Sequence, residues 1–260
     1  MRIVIAIWLL LFTLPIFAAP KSELWSYWQP HDPKNTNKIS HQDWQQLLDK
    51  YLFIQPNQTL FRYNQVSRAD KQKLATYIKR LSIQNPHRYN RDVQFAYWVN
   101  LYNALTVQLI IDNYPVKSII KLGGLFSFGP WNQTIITINN KKLTLNDIEH
   151  RILRPIWQDP RIHYAVNCAS LGCPDLLPKA FNSDQLDAQL DQAATRFINS
   201  EKAVKITKDG ITLSSIYDWY QADFGSLTEL QQHLNHYRVT PNVQLTQIRY
   251  TYNWQLNQKL

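Results

Sequence analysis

Both cysteines of the chain, Cys168 and Cys173, lie in one short segment that also contains His163. Large apolar residues alternate with small or polar ones over residues 162–167, and this period of two predicts a β-strand. His163 and Asn167 would then share the face opposite the core. The pattern therefore predicts a strand that leads directly into a loop with two sulfur groups.

The two cysteines permit three kinds of chemistry. A disulfide is favoured by the even count, by the glycine that precedes Cys173 and by an oxidising compartment. A thiolate nucleophile at Cys168 would need a histidine as base and an amide or carboxylate to orient it, as in papain-like sites. A zinc site would combine both cysteines with His150 and His163, but these spacings match no standard zinc signature. The three alternatives stay open, and we assign no metal or other cofactor.

A carboxylate falls on the apolar side of the helix predicted over residues 144–154. At about 100° per residue, Glu149 lies inside the arc formed by the leucines and isoleucines of this helix, and His150 lies at its edge. An ionised carboxylate that faces a core must be paired or neutralised. Glu149 is therefore either paired with an arginine, such as Arg151 or Arg161, or a functional group with a perturbed pKa.

Residues 92–113 form the longest regular segment, and apolar side chains occur on nearly every side of it. This distribution predicts a helix that is buried at the centre of the fold. Its interior polar residues, Asn100, Asn103 and Thr106, recur at every third position and so lie on one narrow stripe. Buried amides need hydrogen-bond partners, so the stripe either clamps neighbouring backbone or lines a polar site.

The N-terminus has the three parts of a secretory signal peptide: Arg2, an apolar run from Ile3 to Leu14, and the small pair Ala18–Ala19. The apolar run is too short for a relaxed membrane span. We predict cleavage after Ala18, which makes residues 1–18 the signal peptide and residues 19–260 the exported domain. The protein would be periplasmic or secreted, with membrane contact only through an uncleaved leader.

The formal net charge is +9, and it is spread along the chain without a basic cluster. Such a charge favours attraction to anionic surfaces and argues against nucleic acid as a partner. The 9 Trp, 14 Tyr and 10 Phe residues are large enough for core packing and flat enough to serve as platforms for sugars. The composition does not distinguish between these two uses.

Helical and strand patterns follow one another without a regular strand–helix alternation, which predicts an α+β fold. We expect a single domain in which the buried helix packs against a small, mainly antiparallel sheet. Further helices are predicted over residues 40–51, 67–85, 183–199, 214–223 and 226–237. Strands are predicted as hairpins over residues 134–143 and 204–213, and as a last strand over residues 244–252.

Three blocks of the sequence, residues 95–105, 145–154 and 159–174, resemble the exported bacterial proteins of the domain of unknown function 547 family. Weaker agreement extends over residues 216–225 and 252–257. The family looks distantly similar to papain-like and transglutaminase-like folds, in which a cysteine on a helix meets a histidine on a strand. Here Cys168 follows the histidines, so such a site would need a rearranged chain order.

The leading functional hypothesis is a cysteine-dependent hydrolase or transferase that acts on an amide or ester bond in a peptide or a cell-envelope polymer. The candidates for nucleophile, base and orienting group are, in that order, Cys168; His163 or His150; and Asn100 or Glu149. The candidate substrate-binding residues are Asn103, Asn167 and Trp98.

The alternative hypothesis is a non-enzymatic module that binds envelope glycans or a protein. Cys168 and Cys173 would then form a disulfide, and the aromatic side chains would form the binding groove.

Overall fold

Helix α3 (Arg91–Asp112) lies at the centre of the computed structural model, which describes residues 20–124, 128–239 and 242–260. Asn90 caps the helix by accepting a hydrogen bond from the N–H of Val93 at 3.0 Å. Side chains on nearly every side of α3 are buried, because the helix has no continuous polar face. The predicted central helix is confirmed.

Helix α3 packs chiefly against other helices, among them α2 (Arg68–Ser82) and a π-helix (Asp147–Leu153). Longer helices of the described chain include α1 (Gln42–Tyr51), α6 (Leu186–Ile198) and α9 (Leu227–Tyr237). Single-turn helices are α4 (Arg154–Trp157), α5 (Ile162–Ala165), α7 (Ile216–Trp219) and α8 (Gln221–Phe224). Short 3₁₀ turns lie at Ser26–Trp28, Tyr63–Gln65, Pro86–Arg88, Ile119–Leu122 and Ser183–Gln185.

The described strands form three separate small sheets instead of one. Two are antiparallel hairpins, β1 (Leu52–Ile54) with β2 (Thr59–Phe61) and β3 (Ile136–Ile138) with β4 (Lys141–Leu143). The third joins β5 (Val204–Thr207), β6 (Gly210–Ser214) and β7 (Ile248–Thr251). β6 pairs antiparallel with β5 and parallel with β7. The α+β single domain is confirmed, and its sheets are mainly antiparallel as predicted.

The prediction of a strand over residues 162–167 is wrong, because residues Ile162–Ala165 form helix α5. Asp159 starts this turn by accepting a hydrogen bond from the N–H of Arg161 at 2.8 Å. All four residues of α5 are buried, so the alternation of large and small side chains does not reflect a buried and an open face. His163 therefore points into the protein from a helical turn.

The helix predicted over residues 144–154 is present as a π-helix, in which the N–H of Arg154 bonds the carbonyl of Glu149. Pro155 does not end the helix, contrary to the prediction, because it occupies the first turn of α4, where a backbone N–H is not required. The helical path ends at Gln158, which has a left-handed conformation with φ of 52°.

None of the described helices is both long enough and apolar enough to cross a membrane. The predicted signal peptide, residues 1–18, lies outside the described residues.

Candidate functional site

A cavity of about 550 Å³ opens beside the π-helix and extends to the disulfide loop. Its size falls in the range typical of small-molecule sites, about 300–1,000 Å³. The described residues that line it combine a few ionisable groups with many aromatic rings: Pro20, Tyr102, Phe128, Trp131, Asn132, Asn146, Glu149, His150, His163, Val166, Cys168, Cys173, Pro174, Ile216, Trp219, Tyr220, Tyr252 and Trp254.

Glu149 is the carboxylate of this cavity. It is buried on the π-helix, and the hydroxyl of Tyr102 on α3 donates a hydrogen bond to its Oε2 at 3.0 Å. Burial raises the pKa of Glu149 to about 7, against the lowering effects of the Arg154 charge and the Tyr102 hydrogen bond. The carboxyl group is therefore largely protonated below neutral pH.

The alternative that Glu149 belongs to an ion pair with Arg151 or Arg161 is wrong. Arg151 pairs with Asp147 at 2.9 Å, and Arg161 pairs with Asp159 at 2.8 Å. Glu149 is therefore not paired with either of these arginines, and the charge of Arg154 acts on it without a direct ion pair.

His163 approaches Glu149 from α5. Its Nε2 lies 2.6 Å from Oδ2 of Asp223, which assigns the ring proton to Nε2 because the carboxylate can only accept. Its Nδ1 is buried, has no hydrogen-bond partner among the described residues and lies 3.9 Å from Oε1 of Glu149. The ring of Tyr220 stacks on the imidazole with centroids 4.2 Å apart. These contacts orient the imidazole so that the lone pair on Nδ1 of His163 is directed towards Glu149.

The protonation of His163 is also set by its surroundings. Burial lowers the pKa of His163, and the hydrogen bond to Asp223 offsets this only in part. Burial would raise the pKa of Asp223, but hydrogen bonds from His163 and Arg154 lower it further, well below its usual range. The neutral imidazole of His163 is therefore hydrogen-bonded to an ionised carboxylate, as in the base–orienter pairs of many hydrolases.

Arg154 forms hydrogen bonds to several members of this cluster. Its Nε bonds Oδ2 of Asp223 at 2.5 Å, and its Nη1 bonds the carbonyl of Pro20 at 2.8 Å. The same Nη1 lies 3.0 Å from Nδ1 of His150, which must accept because a guanidinium has only donors. Burial, and then the Arg154 charge, lower the pKa of His150 well below its usual value. His150 is therefore neutral in this cluster, and its Nε2 lies 3.9 Å from Oε2 of Glu149.

The segment that starts at Pro20 completes the π-helix. Pro155 has no N–H, so it cannot donate to the carbonyls of His150 and Arg151, which precede it by five and four residues. The N–H of Glu23 bonds the carbonyl of His150 and that of Trp25 bonds the carbonyl of Arg151, both at 3.0 Å. The N-terminal segment thus supplies a donor to each of these two carbonyls.

Replacing Glu23 by proline is expected to destabilise the protein by about 1–3 kcal/mol, because the carbonyl of His150 is then left without a donor in a buried position. The side chain of Glu23 is exposed, so Glu23→Ala keeps the backbone N–H and serves as the matched control. Denaturant unfolding of both variants measures the difference. Equal stability of the two variants would contradict the proposed role of this segment.

Cys168 and Cys173 form a disulfide, with Cα atoms 6.0 Å apart. This is the pairing that the even count and the glycine before Cys173 favour. In this state Cys168 has no thiolate, so the structure does not contain the predicted nucleophile, and neither sulfur is available as a zinc ligand. Among the described residues, no group of three or more His, Cys, Asp or Glu side chains could hold a metal ion.

The amides of α3 act as clamps and do not line the cavity. Asn100 bonds both the carbonyl and the N–H of Phe181, at 2.7 and 3.1 Å. Asn103 bonds the carbonyl of Ala165 at 2.9 Å and the N–H of Asn167 at 2.8 Å. These bonds fix the backbone on either side of the disulfide loop relative to the central helix.

The other two predicted binding residues also lie outside the cavity lining. The side chain of Asn167 bonds the carbonyl of Pro174 and the N–H of Ala169, at 2.7 and 2.9 Å. Trp98 is buried against Trp28, with ring centroids 5.1 Å apart. Of the predicted residues, the structure brings Glu149, His150, His163 and both cysteines together at the cavity.

Asp223, Arg154 and the aromatic wall, which we define as Trp131, Trp219, Tyr252 and Trp254, were not among the site residues predicted from the sequence. Rings of the wall contact one another, with centroids 4.5 Å apart for Tyr252 and Trp254 and 5.6 Å apart for Trp219 and Trp254. Asp223 and Trp219 lie in the block of weaker family agreement over residues 216–225, and Arg154 ends the block over residues 145–154. That agreement was the available signal for these three residues.

Residues 86–198 match the model of a family described as a protein of unknown function, DUF547. This segment includes the central helix, the π-helix, α5 and the disulfide loop, and so contains Glu149, His163 and both cysteines. No curated protein and no solved structure matches the chain.

Proposed function

From the match of residues 86–198 to the DUF547 family, we propose that the cavity of this chain is the active site of an exported hydrolase or transferase. The reaction would use Glu149 as general acid and His163 as general base. The observation that carries the proposal is the 3.9 Å separation between Oε1 of a protonated Glu149 and the unpartnered Nδ1 of His163. An oxygen atom that lies to the side of this pair can be within hydrogen-bond distance of both groups.

The geometry suits proton transfer through an oxygen atom that lies beside both groups. A distance of 3.9 Å is too long for a direct hydrogen bond, but an oxygen atom beside both groups could accept from Glu149 and donate to His163. In hydrolysis of an amide or ester, a water oxygen bonds the carbonyl carbon and loses a proton to Nδ1 of His163. The bond to the leaving group breaks as Glu149 gives that group its proton. Transfer of a proton from His163 back to Glu149 restores the site.

The substrate proposed is an amide or ester in a peptide or cell-envelope polymer, which an exported protein would meet. A mechanism through a Cys168 thiolate would require the reduced protein. We therefore give Cys168 and Cys173 a structural role in this proposal, in which the disulfide fixes the cavity wall. The sulfur of Cys168 lies 3.0 Å from the hydroxyl of Tyr252, which belongs to the aromatic wall.

The second candidate function is a non-enzymatic binding module for an envelope glycan or a protein. The observation in its favour is the combination of the disulfide with the aromatic wall, since a rigid, aromatic-lined cavity also suits binding without reaction. The two functions differ in one respect, because only the enzyme needs the proton of Glu149.

The test is turnover of peptide amides, esters and cell-envelope polymers by the wild type and by Glu149→Gln. The glutamine keeps the shape and can still accept from Tyr102, but it cannot donate a titrating proton. We expect a loss in kcat of about 10²–10⁴-fold, with binding retained. A Cys168→Ser/Cys173→Ser double variant tests the rival thiolate mechanism, and it should retain part of the turnover, reduced only as far as loss of the disulfide disturbs the cavity wall. Full activity of Glu149→Gln, or ligand binding without turnover by the wild type, would overturn the proposal.

The rate should depend on pH in a bell shape. Glu149 acts as an acid only while protonated, so kcat/KM should fall as the pH rises through about 7. His163 acts as a base only while neutral, and burial places its pKa below the ordinary value of 6.5, so the rate should also fall in acid. A rate that keeps rising above pH 8 would contradict these roles.

A further inference from the structure

We infer that the cavity binds an uncharged sugar ring, and that this ring bears the amide or ester on which the site acts. The inference rests on the proposed function for the reacting bond. The binding of the sugar itself depends on a different part of the cavity, the aromatic wall, and can be tested separately.

The aromatic wall supplies flat apolar surfaces at one side of the cavity. Trp219 and Trp254 stack with an interplanar angle of 25°, and Trp131 meets Trp254 with ring centroids 5.8 Å apart. These tryptophans are only partly buried, although they pack against the core. A sugar ring has an apolar face of C–H groups, which fits the electron-rich face of an indole.

Polar groups lie at other parts of the same lining. Asn132 and Asn146 are cavity residues whose side-chain amides bond each other at 2.6 Å. Glu149 and His163 supply a donor and an acceptor. A ligand that fits must therefore be apolar on a face and polar along several edges, as a sugar ring is. A hydrocarbon chain would leave these polar groups without partners, at a cost in free energy.

The charge of the lining favours a neutral ligand. Among the described residues that line the cavity there is no lysine, arginine or aspartate. The charge of Arg154 is already matched by Asp223 through a bond of 2.5 Å. An anionic ligand would thus lose its hydration without gaining an unpaired cation. This argument excludes phosphorylated sugars and uronic acids as good ligands, although the protein as a whole is basic.

Isothermal titration calorimetry with two short oligosaccharides tests the inference. The neutral probe is an oligomer of N-acetylglucosamine, and the anionic comparison is an oligomer of galacturonic acid. We expect the neutral probe to bind at least about tenfold more tightly. Physiological ionic strength suppresses non-specific attraction of the anionic probe to the basic surface.

Tryptophan variants locate the binding. Trp219→Ala and Trp254→Ala should each weaken binding of the neutral probe by about tenfold or more. Trp157→Ala is the matched control, since Trp157 packs against Phe95 and does not line the cavity. Circular dichroism and thermal unfolding establish that each variant is folded.

The inference is overturned if the neutral probe gives no binding to folded wild type, if the galacturonate binds equally well, or if Trp219→Ala and Trp254→Ala bind as the wild type does. Its failure is distinguishable from that of the proposed function. Loss of turnover in Glu149→Gln without any sugar binding would overturn the sugar assignment alone. Sugar binding through the tryptophans with turnover unaffected by Glu149→Gln would overturn the acid–base proposal alone.

Discussion

Asp223→Asn is expected to lower the free energy of unfolding by about 3–5 kcal/mol, because it leaves the buried guanidinium of Arg154 without its counter-charge. The side chain of Arg154 is 4% exposed and that of Asp223 is 21% exposed, so solvent can replace little of the lost interaction. The variant also changes the partner of Nε2 on His163 from a carboxylate to an amide. Chemical denaturation at neutral pH measures the effect.

Asp218→Asn is the matched control for this prediction. Asp218 lies on α7, a few residues before Asp223, and its side chain is exposed. Removal of its charge should change stability by no more than about 0.5 kcal/mol. A loss below about 1 kcal/mol for Asp223→Asn would show that Arg154 does not depend on this carboxylate.

Glu149→Gln is expected to stabilise the protein at alkaline pH. The pKa of Glu149 is raised from 4.5 to about 7 on folding, so the folded state holds a proton that the unfolded state releases between these values. Stability of the wild type should therefore fall as the pH rises from about 4.5 to 7 and then level off. The shift corresponds to about 3 kcal/mol. The Glu149→Gln variant should not show this fall in the free energy of unfolding, because glutamine does not titrate.

The measurement is the difference in unfolding free energy between Glu149→Gln and the wild type, followed with pH. We expect this difference to be about 3 kcal/mol larger at pH 8 than at pH 4. Glu201→Gln is the control, because Glu201 is exposed with a side chain 84% accessible, and its curve should follow the wild type. A difference that does not change with pH would mean that folding does not perturb this carboxyl group. The gain in stability with loss of activity would be a trade-off of the kind common at functional sites.

Local patterns predicted the parts of the structure that depend on neighbouring residues. The all-round apolar sequence of α3 required a buried helix, and helical periodicity placed Glu149 on the inner side of its helix. That placement holds although the helix is of the π type, because Ile148 and Ile152 still face the core. Asn100 and Asn103 also follow one of the two predicted alternatives, because their side chains bond neighbouring backbone.

Contacts between distant parts of the chain were not predictable in this way. Arg154 meets Asp223 across 69 residues, and β6 pairs with β7 only after α9 has intervened. The prediction of a strand where α5 lies was wrong because every residue of that helical turn is buried. The alternation of side-chain size there therefore does not distinguish a buried face from an open one. The hydrogen bond from Glu23 to the π-helix was likewise not predictable from the sequence. The missing N–H of Pro155 indicates which carbonyl lacks a donor only once the type of helix is known.

The proposed acid–base pair depends above all on the protonation of Glu149 in the intact protein. Carbon-13 NMR of the glutamate carboxyl groups, with Glu149→Gln used to assign the resonance, follows its titration. We expect a midpoint near pH 7, so that the group can act as a general acid at neutral pH. A midpoint near the ordinary value of 4.5 would show an ionised carboxylate beside His163 and would contradict the proposed acid–base pair.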